Sequence, residues 1–389
     1  MSLERNIKLL KWHSFFVDFI PWASLAIIYF ARISGSYTLG LSIFSITMIS
    51  SAIFELPTGY ISDKYGRIKT LVFGAAAFTI GAIFYAIGTN YPFLVIGAIF
   101  GGLGRASYSG NNDALLYDNL NEANKSDEFS EHNGKILSMS QLALAITSLL
   151  GGIIAYFSFS LLMWLSVIPP IICLILGLNL TKVKSVSTET GNIFTHVNKA
   201  FKNFISNFKL RQISIVSIID FGMGEASWQF RSAFINTLWP VWAIGIAQFL
   251  SNVGATISFH FSGRIIKKFT AIKILIFENV ISKLINIPSL FFPNILTPAI
   301  MSSTSLLYGI SEISKNNLLQ KEFTDQQRAV MGSLNSLFGS IFFSIFAIIL
   351  GLLADKFGPR NALIIETLTS CLVLIPLYRF KKANDKLSR

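Results

Sequence analysis

From Leu71 to Gly104 the chain reads LVFGAAAFTIGAIFYAIGTNYPFLVIGAIFGGLG, 34 residues without one Asp, Glu, Lys or Arg. The only interruption is Gly88-Thr89-Asn90-Tyr91-Pro92, a cluster of turn-forming residues. A helix needs about 20 apolar residues to cross the hydrocarbon core of a bilayer, so this stretch predicts two spans joined by a tight turn. Leu161 to Leu180 and Met331 to Ala354 are also uncharged and predict single spans. Working outward, the same reading predicts an all-α membrane protein with twelve transmembrane helices, at 12–33, 39–60, 71–88, 93–118, 136–157, 161–180, 212–230, 239–260, 271–291, 297–318, 331–354 and 361–379. Composition agrees, with 52% hydrophobic and 13% charged residues, where a soluble domain carries roughly a quarter charged residues.

The net charge of +12 does not point to nucleic acid, because the basic residues fall in short segments between apolar runs and not in a block beside exposed aromatics. With the N-terminus inside, 26 of the 32 Lys and Arg lie on the inner side, leaving Arg231, Lys356 and Arg360 outside, Arg32 at a span end and Arg105 and Lys283 within spans. This bias predicts cytoplasmic termini. No short apolar region with a cleavage site precedes the first span, which is therefore expected to stay in the mature protein. Cys173 and Cys371 lie inside apolar stretches without metal-type spacing and read as small core residues. The one long connection divides the spans six and six, giving an N-terminal bundle over 1–180, a cytoplasmic linker over 181–210 and a C-terminal bundle over 211–389. Within the linker Phe201, Phe204, Ile205 and Phe208 recur at helical spacing among lysines, as in a helix lying on an anionic leaflet; a disordered polar linker is the competing reading.

Between the second and third spans stands Gly59-Tyr-Ile-Ser-Asp63-Lys64-Tyr65-Gly66-Arg67-Ile68-Lys69. It resembles the signature loop of the major facilitator superfamily, G-x-x-x-D-[RK]-x-G-R-[RK]-x, with Lys69 one position late. Glu55-Leu-Pro57-Thr-Gly59 and Ala114-Leu-Leu-Tyr117-Asp118 look like the bacterial drug-exporter (drug:proton antiporter) branch. The resemblance implies two pseudo-symmetric six-helix bundles, alternating access to a central site, and a gating loop in which Arg67 bridges Asp118 and Asp63. Glycines let helix ends approach around a tight turn. An offset of 204 residues finds a degenerate copy from Gly263 to Lys273, as two parallel halves require, although two basic loops can also match by chance. Two departures weaken the exporter reading. The fifth span keeps Gly151-Gly152 of a Gly-Pro-x-x-Gly-Gly pattern but has Thr147-Ser148 in place of Gly-Pro, and Gly110 comes five residues after Arg105 where the family pattern has four.

Ionisable groups inside spans are costly and face a cavity or a partner. Here they gather in spans 1, 4, 7 and 10, as Asp18, Arg105, Asp113, Asp220, Glu225 and Glu312, with Glu278, Lys283 and Glu366 as exceptions. These are the helices that line the cavity in the family the chain resembles. Arg105, Tyr108, Ser109 and Asn112 form one stripe and Ser305, Tyr308 and Glu312 another. Arg105 either pairs with Asp113 or serves substrate and coupling. Asp18, Asp220 and Glu225 are open to a structural role, and Glu312 is the first choice for carrying a proton.

No nucleotide-binding loop, metal spacing or nucleophile–His pairing is present, so neither cofactor nor metal is expected and the chain is not expected to be an enzyme. A membrane-embedded enzyme or receptor would need a convergent reactive set or a sizeable exposed domain. The expected activity is proton-coupled efflux of a small amphipathic compound by a monomer in the cell (plasma or inner) membrane, with uptake of a metabolite as the alternative. The expected partners are that small-molecule substrate, protons and the lipid bilayer. For the topology, a reporter fused after Arg389 should be cytoplasmic and a cysteine at Asn90 should label from outside. Labelling of Asn90 only from the cytoplasm would overturn it.

Overall fold

The computed structural model describes residues 2–109, 111–181, 204, 206–323 and 328–385, and these are helical with short connections and no strand. The first nine helices are α1 (Ser2–Asp18), α2 (Ala26–Ser34), α3 (Tyr37–Tyr65), α4 (Arg67–Ile87), α5 (Tyr91–Tyr108), α6 (Asn111–Glu122), α7 (Phe129–Phe157), α8 (Phe159–Leu165) and α9 (Ile168–Leu178). They are followed by α10 (Phe208–Ile235), α11 (Val241–Lys268), α12 (Ala271–Phe291), α13 (Thr297–Ser302), α14 (Ser305–Glu322), α15 (Arg328–Ser370) and α16 (Leu374–Asp385). Helices suit this chain because hydrocarbon offers no hydrogen-bond partner and a helix pairs its own backbone groups internally. Where ends are exposed, side chains take over. Ser36, Asn90, Ser158 and Asn207 each accept from a backbone N–H three residues on.

Among the described residues eight segments are long and apolar enough to cross a bilayer. The last, Met331–Asp385, contains the eleventh and twelfth expected spans, broken at Gly358 with φ 82°. The three expected spans outside the eight are the fourth, seventh and tenth, and each is disqualified by polarity. The fourth is two helices, α5 and α6, parted at Ser109 and carrying Arg105, Asp113 and Asp118. The seventh, α10, holds Lys209, Arg211, Asp220, Glu225 and Arg231, while α14 holds Glu312, Lys315, Lys321 and Glu322. The twelve expected spans are thus accounted for among the described residues. Two expected boundaries change: the first helix starts at Ser2, and it breaks between Asp18 and Ala26 around Pro21.

The chain divides into two compact units, Met1–Thr188 with Pro240–Phe249, and Glu189–Trp239 with Leu250–Arg389. Residues 240–249, expected with the second bundle, group with the first because Gly245 lies against Ser148 of α7 and Trp242 against Gly152. A Cβ on Gly151 would fall on the carbonyl oxygen of Pro21, so the surviving glycine pair serves close backbone approach at the break in the first span. Of the expected linker, residues 182–203 and 205, with Phe201 and Ile205, lie outside the described residues, while Phe204 packs against the core of the second unit and Phe208 opens α10.

The offset of 204 residues is realised in the helices themselves. It carries Arg67–Ile87 onto Ala271–Phe291 residue for residue, and the start of α3 at Tyr37 onto the start of α11 at Val241. Gly66, which N-caps α4 with φ 96°, corresponds to Thr270, which N-caps α12 with φ −69°. The two halves therefore share one register even where their loop sequences differ, as parallel repeats require.

Each unit has its own core. In the first, Phe30, Leu94, Ala98 and Tyr85 form one cluster and Leu10, Leu71, Leu116 and Leu120 another. In the second, Leu210, Ile213, Leu275, Leu377 and Phe380 pack together. Between helices in lipid, close van der Waals contact replaces hydrophobic exclusion, and small residues permit it. Gly102 of α5 meets α3 so closely that a Cβ there would lie 2.5 Å from Ser50 Cβ and 2.7 Å from the carbonyl oxygen of Thr47. Gly102→Leu should therefore lower the melting temperature in detergent, by the equivalent of about 1–3 kcal/mol. An unchanged melting curve would refute this packing.

Candidate functional site

The signature loop turns at Gly66, whose φ of 96° is a region closed to most side chains. Arg67 follows as the first residue of α4 and donates Nε–H to Asp118 Oδ2 at 2.6 Å, with Asp118 only 3% exposed. Asn111 ties in the same corner, donating from Nδ2 to the Arg67 carbonyl at 2.8 Å while its Oδ1 accepts from Ser62 Oγ at 2.9 Å. The loop is thus held to the start of α6 by one ion pair and two amide contacts. Asp63 is exposed and has no ion pair among the described residues, so the expected bridge from Arg67 to Asp63 is not formed. Lys64 lies over the rings of Tyr60 and Tyr65 at 5.6 and 5.4 Å. Gly59 has open space where a Cβ would stand, so a close helix approach does not explain that glycine.

Within the first unit the breaks in the first and fourth spans face α7 and leave a cavity of about 230 Å³. Its polar wall comes from His13, Ser14 and Asp18 near the end of α1, Tyr108 at the end of α5, and Asn112 and Asp113 at the start of α6. From α7 come Asn133 and Ser140, with the Ser140 and Ser14 hydroxyls 2.7 Å apart. Tyr108 sits edge-on to His13, its hydroxyl 3.4 Å from Nε2. The carbonyl oxygens of Asn112 and Asn133 are buried without a donor among the described residues. Asp113 lies in the first turn of α6, where the helix dipole favours a negative charge. Arg105 is exposed on the other side of the Ser109 break and forms no ion pair with Asp113 among the described residues. The expected continuous stripe therefore splits: Tyr108 and Asn112 reach the cavity and Arg105 does not.

In the second unit the centre is Lys315, 5% exposed. Its ammonium lies 2.8 Å from Asp220 Oδ2 on α10 and 2.7 Å from Glu312 Oε2 one turn earlier on α14. Glu278 of α12 accepts from Ser282 at 2.9 Å, from Asn279 at 3.1 Å and from Ser311 of α14 at 3.4 Å. Further along, Glu366 is buried and accepts from Ser227 and Thr367. Glu225 takes a hydrogen bond from Gln229 at 2.8 Å, and Tyr308, one turn before Glu312 on α14, packs edge-on against Phe259.

Lys315 and His13 are the residues that sequence reasoning missed. Lys315 counts among the 26 inner basic residues although it lies within the expected tenth span, 297–318, and its spacing of three from Glu312 is a usable signal. His13 was set aside for want of a metal partner, although His13, Ser14, Val17 and Asp18 share one helical face with Leu10.

An all-helical set of described residues with charges gathered inside apolar bundles has the form of a multi-pass membrane protein. The description Major Facilitator Superfamily matches residues 11–345, and the chain belongs to that superfamily. An uncharacterized transporter of Buchnera aphidicola subsp. Acyrthosiphon pisum (strain APS) is 30% identical over 171 residues, 44% of this chain and 42% of that relative, so the match spans less than half of its length. The crystal structure of the nucleoside transporter NupG is similar at a TM-score of 0.81 with 14% identity, covering 98% of this chain and 100% of that one. The D-xylose-proton symporter is similar at 0.73 with 14% identity, covering 98% of each chain. The POT family transporter PepTSo is similar at 0.78 with 11% identity, covering 99% of this chain and 98% of that one. Likeness at these identities is likeness of fold.

The corner at Arg67 yields a direct test. Asp118→Asn should lower thermal stability, because it leaves a half-buried guanidinium without its counter-charge. In a double-mutant cycle with Arg67→Gln the two changes should couple by about 1 kcal/mol or more. Additive effects would show that the pair contributes nothing to the fold.

Proposed function

We propose that the protein is a proton-coupled secondary transporter that exports a small amphipathic compound by alternating access. In this reading it works as a monomer in the cell membrane, with both termini cytoplasmic and the two six-helix bundles as its moving parts. One observation carries the proposal: two carboxylates, Asp220 and Glu312, share one buried ammonium, Lys315, inside a membrane-spanning unit. Such a cluster holds one negative charge in excess, which a single proton cancels, and buried charges of this kind mark proton pathways in transporters. The cavity of the first unit supports the substrate class, since Val17, Leu116 and Leu137 offer apolar wall opposite the polar one. The exposed Asp63 is free to make and break contacts in a gating loop that Arg67 and Asp118 hold in place.

A second reading, proton-coupled uptake, is favoured by the D-xylose-proton symporter and the nucleoside transporter among the similar structures. Imposed gradients separate the two. In proteoliposomes an acidic lumen should drive accumulation of a transported amphipathic compound if protons and substrate exchange; an acidic exterior should drive it if they move together. Either way Glu312→Gln and Asp220→Asn should abolish gradient-driven accumulation while equilibrium binding remains measurable. Full gradient-driven transport by both variants would overturn coupling through this cluster.

A further inference from the structure

We infer that the cavity of the first unit selects a small protonated amine. This rests on the reading of that cavity as the substrate site, and adds the charge and hydrogen-bonding class of what enters it. Its chemistry is one-sided. Two carboxylates, Asp18 and Asp113, line it, while no Lys or Arg does. Of the basic side chains on the same helices and connections, Lys135 pairs with Glu131 and Lys125 and His132 with Glu128, while Arg5, Lys8, Lys11 and Arg105 do not line the cavity. His13, 1% exposed, is already engaged by Tyr108. Neither Asp18, which the Ser140 side chain meets with a hydrogen bond, nor Asp113 has an ion pair among the described residues, so no cation of the wall faces either carboxyl.

An independent observation points the same way. The amide oxygens of Asn112 and Asn133 are fully buried acceptors without donors. A buried acceptor left unpaired costs on the order of 1–3 kcal/mol, and a native fold keeps such groups where something else supplies the hydrogen. An ammonium has three N–H donors and no acceptor, and it answers both deficits at once. A neutral alcohol brings one donor and no charge. A carboxylate is repelled by both aspartates and offers the amide oxygens nothing. At about 230 Å³ the cavity is smaller than typical drug-sized pockets, and its aliphatic wall from Val17 and Leu137 suits a short apolar tail. The ligand is therefore an amine with one compact hydrocarbon group.

Equilibrium binding to the purified full-length protein in lipid nanodiscs tests this with three isosteric probes: phenethylammonium, 2-phenylethanol and 3-phenylpropanoate. The ammonium should bind on the order of tenfold or more tighter than the alcohol, and the carboxylate should not compete. Asp18→Asn and Asp113→Asn should each weaken the ammonium by about tenfold while leaving the alcohol unchanged, and Asp18→Glu should restore it. Equal binding of ammonium and alcohol to the unaltered protein, or no binding of the ammonium, overturns the inference without recourse to any variant. Binding is read without a pH gradient, so full gradient-driven transport by Glu312→Gln and Asp220→Asn refutes the coupling reading and leaves this result standing. Gradient-driven transport of a neutral or anionic compound together with no amine binding does the reverse.

Discussion

A charge taken out of water into hydrocarbon must be met by an opposite charge or by hydrogen bonds, because the medium supplies neither. That constraint organises the interior of this protein. Lys315 is met by two acids, Asp118 by Arg67, Glu278 by a serine pair and an amide, and Glu366 by two hydroxyls. Each match is made within one unit. The same constraint breaks the helices: Asp18 stands at the end of α1, Arg105 and Asp113 on either side of Ser109, and Glu312 in the helix that follows the short α13. Broken helices expose backbone ends beside the polar groups that need them, and a cavity-lining position is where irregular backbone is tolerated in a membrane.

The repeat shows how one scaffold was equipped twice. At the offset that superimposes α4 on α12, Tyr108 corresponds to Glu312 and Asn111 to Lys315. In the first unit these positions hold a neutral ring facing a histidine and an amide securing the signature loop. In the second they hold the two ends of an ion pair. The offset thus carries polar positions onto polar positions, while residue choice gives one unit unmatched acceptors and the other a nearly balanced ion cluster.

Much of this was legible before any coordinates. Uncharged runs of bilayer length mark the spans, and Gly59 to Lys69 marks the family, because both are local patterns whose physics is written in consecutive residues. The clustering of acids in spans 1, 4, 7 and 10 was legible for the same reason. What stayed hidden was pairing across elements. Arg105 and Asp113 have ion-pair spacing only on an unbroken helix, and the break at Ser109 is not signalled by the glycine-rich run before it. Lys315 looked like one more cytoplasmic lysine, since nothing in its neighbourhood announces Asp220, 95 residues earlier. Ser140 and Asn133 carry no signal in the sequence, and only the packing of α1 and α6 against α7 makes them cavity wall.

The Lys315 cluster also distinguishes its two acids in a way that residue type alone does not. Glu312 lies on the same helix as the lysine, so its charge contact is internal to α14, whereas Asp220 reaches across from α10. A proton on Glu312 leaves the pair that joins two helices and makes the cluster neutral. A proton on Asp220 also neutralises it, but leaves the lysine held only within its own helix and removes the charge that ties α10 to α14. The two protonation states have the same net charge and different mechanical consequences. Proton arrival at Asp220, and not merely neutralisation of the cluster, is what would loosen one helix from the other.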